Sequence, residues 1–364
     1  MKITVVSPEF GFGGSERVLS ILMNQWIENN EVQLILLQDK EEVAYKIDPN
    51  VSIKLCGFPQ KKKIVKLCRG MKKTRYEINK FNPDIIIAFS SFVMTYLSIA
   101  LIGCSFNIIY SQRNDPYAAI KGLKMHLFEK IAINKSDAIV FQLEGAKNYY
   151  DEKIQKKSTI ICNPIEFKNL PIHKNENNRN TVLTIGRLEP QKNHKVLVDA
   201  FVEVHKLHPE FDLKIYGDGA EKENIQNQIN SYDANDYIRL KGINKKVWQE
   251  ECDSYMFVLS SDYEGLPNVL MEALCVGMPC VSTDCSPGGA RVLINNMENG
   301  LLVAKNSKME LEQAINYLIE NKEIANQIGK SARQLSEKVS PEYIAKQWID
   351  FMNDVLGNLD KNTV

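Results

Sequence analysis

The sequence has no net charge, and it lacks the patterns of several protein classes. Its 45 Lys+Arg balance 45 Asp+Glu, and we expect no nucleic-acid partner. Eight cysteines show no paired C-x-x-C spacing, which favours reduced thiols in a cytosolic protein over a zinc site. The five histidines form no cluster by spacing, and no D-x-D stands out in a suitable loop. We therefore expect no essential metal and no cofactor.

A continuous apolar run of about 18 residues is also missing, although one segment approaches a membrane span in length. Residues 85–112 carry no charge over 28 positions, which is long enough to cross a bilayer. Ser90, Ser91 and Gly103 interrupt the segment with helix start and stop signals. They favour a buried strand-helix-strand unit over the alternative of a transmembrane helix. Because Met1 leads directly into a strand, we expect no signal peptide and a cytoplasmic location.

Charge is unevenly distributed along the chain. Residues 1–180 hold 26 Lys+Arg and 18 Asp+Glu, a balance of +8, and the remainder has a balance of −8. Residues 61–75 contain eight basic side chains among apolar ones at roughly helical spacing, which predicts a basic amphipathic helix. Such a helix can lie on an anionic membrane surface, or it can be a solvated helix that covers its domain. Both interpretations remain open.

Residues 260–284 form the most informative segment. An apolar strand precedes a polar loop, SSDYEG, and Pro267 suits the first position of the helix that follows. The next apolar segment, CVST, reads as another buried strand. The sequence therefore predicts a strand-loop-helix-strand unit of a parallel sheet.

This unit has the features of an anion site. A helix N-terminus presents unpaired N–H groups and about half a positive charge, and Gly265 allows the backbone to approach a ligand. Glu272 lies five residues past Pro267, or about 7.5 Å along a helix axis, where it could accept hydrogen bonds from a ribose. Glu264, in the loop, could face the group beyond a second phosphate.

The sequence SDYEGLPNVLMEAL, with Glu264 and Glu272 separated by seven residues, resembles the E-x7-E motif of the retaining family 4 glycosyltransferases. The resemblance implies a GT-B fold. It also implies that Leu266, Pro267 and Asn268 open a helix whose N–H groups meet phosphate. Glu272 would then hold the ribose, and Glu264 would orient the donor sugar or its developing positive charge. The alternative is a pair of solvated glutamates on a surface helix.

A second motif begins the C-terminal half. The predicted strand TVLTIG ends at Gly186 and is followed by Arg187 and Lys192, which resembles the G-R-L…K-N motif of the same family. Breaking a sugar–diphosphate bond builds negative charge on the leaving phosphate, and a guanidinium and an ammonium can stabilise that charge without a metal. Gly217 allows a tight turn after a later strand and joins the predicted donor-binding residues. The alternative is surface charge in a loop.

A glycine-rich turn follows the first strand. The segment PEFGFGGSERVL has glycines at 11, 13 and 14, which is not the dinucleotide spacing G-x-G-x-x-G. It resembles the family's N-terminal glycine loop, which places Gly13 and Gly14 near the donor phosphates and Glu16 in the acceptor region. A tight turn without a ligand is the alternative.

The segment YSQRNDP follows another predicted strand of the first half. It resembles an S-E-R-N-D-P motif in a bacterial polysaccharide branch of the family, with Gln112 in place of the usual Glu. The resemblance places Arg113 and Asn114 near the acceptor or the reacting sugar. Many relatives have a histidine in this region, and none is visible here.

These segments predict an α/β protein with two doubly wound Rossmann-like domains facing across a cleft. Residues 1–165 form the acceptor domain, and residues 166–340 form the nucleotide-sugar domain, with a polar linker at 163–180. A final helix at 341–356 is expected to cross back to the first domain, as the GT-B resemblance implies.

The resulting functional prediction is a retaining, metal-independent glycosyltransferase that moves a sugar from a nucleotide-sugar, a UDP-sugar, to a hydroxyl of a glycan acceptor. The basic first half and the polysaccharide-type motifs favour a polyprenyl-diphosphate-linked acceptor at the inner face of the cell membrane. Two alternatives remain open: a sugar-nucleotide epimerase on paired Rossmann domains, and a catalytically silent nucleotide-sugar-binding protein. The sequence does not name the sugar, the acceptor, the linkage or the oligomeric state.

Overall fold

The computed structural model describes residues 1–11, 13–39, 43–57, 64–120, 122–168, 170–174 and 179–360. It divides the chain into two compact units. Unit 1 comprises Met1–Pro164 with Val339–Val364, and unit 2 comprises Ile165–Lys338. Each unit is built on a parallel sheet of its own, so the predicted pair of Rossmann-like domains is confirmed.

Unit 1 contains a seven-stranded sheet with the strand order β3-β2-β1-β4-β5-β6-β7. Its strands are β1 (Lys2–Ser7), β2 (Glu31–Leu36), β3 (Ser52–Leu55), β4 (Ile85–Ala88), β5 (Asn107–Ser111), β6 (Ala138–Phe141) and β7 (Ser158–Ile160). Its first helices are α1 (Gly14–Trp26), α2 (Ile64–Phe81), α3 (Ser91–Ala100), α4 (Pro116–Ala119), α5 (Gly122–Lys135), α6 (Glu144–Lys147) and α7 (Glu152–Lys156). The strand order reverses between β1 and β4, which makes that point the topological switch of the sheet.

Unit 2 contains a six-stranded sheet with the order β10-β9-β8-β11-β12-β13. Its strands are β8 (Arg179–Ile185), β9 (Asp212–Tyr216), β10 (Ile238–Gly242), β11 (Ser254–Leu259), β12 (Cys280–Asp284) and β13 (Leu301–Ala304). Its helices are α8 (His194–Leu207), α9 (Lys222–Ser231), α10 (Val247–Glu251), α11 (Asn268–Val276), α12 (Gly289–Leu293), α13 (Lys308–Glu320), α14 (Lys322–Ala332) and α15 (Leu335–Lys338), with a short 3-10 turn at Pro190–Lys192. The switch point of this sheet lies between β8 and β11.

The last helix, α16 (Pro341–Asp360), returns to unit 1 and packs against α1. Trp348 is fully buried there, with its ring 5.8 Å from that of Trp26 and stacked 6.1 Å from that of Phe89. The Trp26 indole also donates to the carbonyl of Ala345 at 3.3 Å. The helix runs past the predicted end at residue 356.

The uncharged segment at 85–112 folds as β4, α3 and β5, as the turn signals predict. Ser90 caps α3 by accepting a hydrogen bond from the Val93 amide at 3.2 Å. A side-chain oxygen at this position satisfies one of the donors left open by the first helical turn. Over the described residues, no helix has the length and apolar character needed to cross a membrane.

Short-range sequence patterns predicted the wrong secondary structure at three places. Strand β3 was not predicted, because its residues are half-buried and follow no clear alternation. The sequence from Tyr117 to Asn134 predicts one helix, whereas the structure has two, α4 and α5, with Gly122 at φ +78° after the break. Pro267 caps α11 in an extended conformation instead of occupying its first turn.

Within the predicted linker, residues 170–174 include a histidine that is buried in unit 2. His173 is 5% exposed, and its backbone amide donates to the Val276 carbonyl at 3.0 Å. Its Nδ1 lies 2.6 Å from the Cys252 carbonyl. Residues around His173 therefore pack against α10 and α11 of the same unit.

Candidate active site

Two loops meet at the switch point of unit 2. One leaves the carboxyl end of β8 and carries Arg187 and Lys192, and the other leaves β11 and carries Glu264. Because β8 and β11 are neighbouring parallel strands, their carboxyl ends open at the same edge of the sheet. Ligands of open parallel sheets bind at such a point.

The two loops are joined by an ion pair. Lys192 Nζ lies 2.5 Å from Glu264 Oε1, and the two side chains are only 13% and 8% exposed. The hydroxyl of Ser261 donates to the same oxygen at 2.6 Å. This shielded pair brings together two of the residues predicted to be catalytic.

Further hydrogen bonds fix the relative position of the loops. The side-chain amide of Gln191 donates to the backbone carbonyl of Tyr263 at 2.9 Å. The backbone amide of Asp262 donates to the backbone carbonyl of Gln191, also at 2.9 Å. Arg187 Nη2 lies 3.4 Å from Gln191 Oε1, and the Arg187 side chain is otherwise exposed. Gln191 therefore links the third predicted catalytic residue to the Glu264 loop.

Two predicted glycines lie directly under this pair of loops. A Cβ on Gly186 would contact the aliphatic part of Lys192 at 3.4 Å. Gly217 has φ +145°, and a Cβ there would lie 1.8 Å from the Gly186 carbonyl oxygen. Gly217 is therefore required by a close backbone crossing, since no side chain fits between the ends of β8 and β9.

The backbone of Gly289 packs closely against the start of α11, a contact that no sequence motif indicated. A Cβ on Gly289 would lie 2.1 Å from the Gly265 carbonyl oxygen and 2.9 Å from Pro267 Cδ. Leu266 is 6% exposed, whereas Asn268 is half-buried. The glycine pair after β12 predicts a turn, but it does not indicate that Gly289 packs against the backbone of Gly265.

Glu272 lies inside α11 and is 4% exposed. Its Oε2 accepts a hydrogen bond at 2.7 Å from the indole Nε1 of Trp248, which is on α10. Trp248 is 5% exposed and packs with its ring 6.1 Å from that of Phe257. No sequence signal connected Trp248 with the site.

His194, the first residue of α8, is buried next to the cationic loop. Burial, together with the positive charge of Lys192, lowers the pKa of its imidazole to about 4. The imidazole is therefore neutral at pH 7. A neutral ring adds no charge beneath the loop that carries Arg187 and Lys192.

The predicted glycine-loop residues lie in unit 1 at the start of α1. Gly13 precedes the helix, and a Cβ there would lie 2.0 Å from Glu16 Oε2, so the Glu16 carboxylate folds back over Gly13. Burial raises the pKa of Glu16 from its ordinary value, and nearby Glu9 raises it further. Gly14, the first residue of the helix, is exposed.

Arg113 and Asn114 follow β5 in unit 1. The Arg113 guanidinium lies 4.2 Å from the Phe89 ring centroid and 5.7 Å from that of Trp348, and it donates to Asn163 Oδ1 at 2.6 Å. Burial lowers the pKa of Arg113 to about 9. These contacts fasten α16 and the segment that follows β7 to the end of β5, while Asn114 is exposed. The acceptor role of both residues stays a prediction.

Over the part of the chain that the structure describes, no three His, Cys, Asp or Glu side chains are placed to hold a metal ion. The loops after β8 and β11 instead carry Arg187, Lys192 and Glu264, together with Glu189 and Asp262. The guanidinium of Arg187 and the ammonium of Lys192 can bind an anionic ligand at this edge of the sheet.

Known proteins resemble this chain in sequence and in fold. Residues 166–335 match the family model described as "Glycosyl transferases group 1". The amylovoran biosynthesis glycosyltransferase AmsD of Erwinia amylovora is 28% identical over 361 residues, covering 94% of this chain and 96% of its own. A Campylobacter jejuni N-acetyl-D-galactosaminyltransferase, whose name specifies a PP-undecaprenol glycan, is 24% identical and covers 98% of this chain and 99% of its own.

Among solved structures, Anabaena HepE in complex with UDP aligns with a TM-score of 0.82 at 17% identity, over 97% of this chain and 100% of its own. This likeness establishes the fold. Together with the family match over residues 166–335 and the relatives, it supports a glycosyltransferase with the GT-B fold. Its relatives include bacterial polysaccharide glycosyltransferases.

Proposed function

We propose that this glycosyltransferase belongs to the retaining family 4 and transfers a sugar from a UDP-sugar to a hydroxyl of a lipid-linked glycan in bacterial surface polysaccharide synthesis. The observation that carries the proposal is the shielded Lys192–Glu264 pair at the switch point of unit 2, with Arg187 linked to the same loop. An ammonium has three N–H donors, so Lys192 can bind Glu264 and a phosphate oxygen together.

In this proposal the cationic side chains act on the leaving group. Departure of a nucleoside diphosphate builds negative charge on its outer phosphate, and Arg187 and Lys192 stabilise that charge without a metal. The backbone at Gly265, Leu266, Pro267 and Asn268 meets the diphosphate, and Gly186 and Gly217 leave room for it. Such stabilisation accelerates the reaction because it grows as the bond breaks.

The two glutamates act on the two sugars of the donor. Glu264 lies on the loop after β11, where it can orient the transferred sugar or stabilise the positive charge that develops on it. Glu272, deeper on α11, accepts hydrogen bonds from the ribose. Neither is placed as a covalent nucleophile in the proposal, so we infer a front-face displacement that retains the anomeric configuration.

Names of related proteins support the choice of donor and acceptor. HepE was crystallised with UDP, and the Campylobacter relative is named for a glycan on a PP-undecaprenol carrier. In unit 1, Gly13 and Gly14 are the candidate contacts of the donor phosphates, and the candidate contacts of the acceptor or the reacting sugar are Glu16, Arg113 and Asn114. A lipid carrier would place the enzyme at the inner face of the cell membrane.

The proposed role of Arg187 predicts the effect of removing it. Arg187→Ala should lower kcat with UDP-sugar by more than about 100-fold, because removing one stabiliser of transition-state charge typically costs that much. Lys206→Ala, which removes an exposed cation of α8 paired with Glu203, is the control and should retain activity. Initial rates of sugar transfer and of slow donor hydrolysis measure both variants.

A screen of sugar nucleotides by thermal stabilisation and hydrolysis selects the donor for this test. Near-normal turnover by Arg187→Ala would contradict the proposed mechanism. Binding of UDP with neither transfer nor hydrolysis would instead favour a silent binding protein. Release of an epimerised nucleotide-sugar would favour the epimerase alternative.

A further inference from the structure

Glu272 has a partner on a part of the chain that no motif marks. The carboxylate is buried within α11, and the Trp248 indole donates to its Oε2 at 2.7 Å. An indole has one N–H donor in the plane of a rigid ring. It therefore defines the direction from which Oε2 is approached.

The indole itself is held firmly. Trp248 is 5% exposed, and its ring packs against that of Phe257 on β11, 6.1 Å away. Three residues further on α10, the buried carboxylate of Glu251 receives Lys214 Nζ at 3.0 Å and the Tyr216 hydroxyl at 2.7 Å. These contacts tie α10 to β9, so the indole has little freedom to follow a displaced carboxylate.

The segment before α10 is ordered in the same way. The Lys246 amide donates to Asn244 Oδ1 at 2.8 Å, and the Asn244 amide group donates to Glu250 Oε2 at 2.8 Å. The Asn244 side chain therefore closes a turn just before α10, and this turn fixes the start of the helix. A short helix with both ends anchored can serve as a rigid support.

We propose that Trp248 is a positioning residue for ribose recognition: by holding the Glu272 carboxylate in one orientation, it sets the preference of the site for a nucleotide with both ribose hydroxyls. The proposal rests on the role of Glu272 in the proposed function. The two ribose hydroxyls can both donate to one carboxylate only when the plane of the carboxylate faces them. The orientation of the Glu272 carboxylate therefore controls the affinity for the ribose. Trp248 does not itself contact the ligand.

The test compares UDP with 2′-deoxy-UDP and 3′-deoxy-UDP by isothermal titration in wild type, Trp248→Phe and Glu272→Gln. Trp248→Phe keeps an aromatic ring and removes the N–H. It should weaken UDP binding by about tenfold, in the range typical of a lost buried partner, and bring the three dissociation constants closer together. The KM for the UDP-sugar should rise while kcat changes less.

Trp26→Phe is the matched control, because it also removes a buried indole N–H, from the bond to the Ala345 carbonyl in unit 1. It should leave the UDP-to-deoxy-UDP ratio unchanged. In the double variant Trp248→Phe/Glu272→Gln, the ratio should equal that of Glu272→Gln alone, since the indole acts through that carboxylate. A general loss of packing would weaken the binding of all three nucleotides alike and leave their ratio in Trp248→Phe unchanged, and a thermal melt of each variant reports any such loss.

The outcomes separate the inference from the function on which it rests. If Glu272→Gln loses the ribose preference and Trp248→Phe keeps it, Trp248 is structural and the inference is wrong. If Glu272→Gln keeps the preference, the ribose role of Glu272 is wrong, and the inference is overturned with it. If the wild type binds UDP no better than 2′-deoxy-UDP and 3′-deoxy-UDP, both the ribose role of Glu272 and the inference are also wrong.

Discussion

Lys192 and Glu264 show how much of the site depends on single contacts between distant residues. They are separated by 72 positions, yet each shields the other from solvent at the switch point of unit 2. A buried charge without its partner is costly, so replacing either residue alone leaves an unpaired charge in the other loop. The pair thus joins the chemistry of the site to the stability of unit 2.

His194 leads to a prediction about pH. The unfolded imidazole has an ordinary pKa of 6.5, whereas the folded pKa is about 4. The stability contributed by the neutral ring is therefore complete above pH 6.5, and it falls as the pH drops from 6.5 towards 4. The loss over that window is up to about 3 kcal/mol in the free energy of unfolding.

Urea denaturation of His194→Gln and wild type at several pH values between 7 and 4.5 measures this effect. The variant should lose part of the slope of stability against pH. His126→Gln, at an exposed position of α5, is the control and should keep the wild-type slope. An unchanged slope in His194→Gln would show that other groups control acid stability.

At the scale of elements, the start of α11 depends on contact with α12. Gly289→Ala adds one methyl group, which would lie 2.1 Å from the Gly265 carbonyl oxygen. Backbone must move to accommodate it, and the displaced segment includes Pro267 and the predicted phosphate contacts. We expect UDP affinity to fall by roughly tenfold or more, with a lower melting temperature, because backbone displacement perturbs binding and packing together.

The control for this substitution is Gly357→Ala in α16, where the added methyl group meets nothing within 4 Å. Alanine is a better helix former than glycine by up to about 1 kcal/mol, so this variant should be neutral or slightly stabilised. Thermal unfolding and UDP titration check both. Wild-type affinity in Gly289→Ala would mean that the loop has room to relax.

At the scale of the whole molecule, unit 1 exposes basic side chains on α2 and apolar side chains on α5. Helix α3 contacts both α2 and α5, so the three helices form a continuous layer. Arg69, Lys72 and Lys73 are exposed on α2, and Leu123 and Leu127 are 87% and 53% exposed on α5. Of the basic segment at 61–75, residues 61–63 lie outside the described residues. The exposed side chains support the proposed membrane surface.

Vesicle sedimentation tests this surface. Lys72→Glu/Lys73→Glu should weaken binding to phosphatidylserine-containing vesicles roughly 30-fold or more, because each basic residue near an anionic surface contributes about 1 kcal/mol. Lys206→Glu/Lys222→Glu, which changes two exposed lysines of unit 2, should bind as wild type does. Equal binding of wild type to neutral and anionic vesicles would remove the membrane argument.

Much of the fold could be predicted from short-range patterns. The apolar strands, the serine cap of α3 and the segment from 260 to 284 each depend on residues close together in sequence. The pairing of Trp248 with Glu272 could not, because the indole and the carboxylate lie on different helices, 24 positions apart. The contact of Gly289 with Gly265 could not be predicted either, since a glycine pair indicates a turn but not the segment that packs against it.

The sequence by itself determined the alternation of strands and helices and the candidate residues at the strand ends, because periodicity and turn chemistry are local properties. Only the tertiary structure decided which of these residues meet. The strand order places β8 beside β11, and that neighbourhood brings Lys192 to Glu264. Side-chain partners depend on which strands are adjacent, and adjacency is set by the packing of the whole sheet.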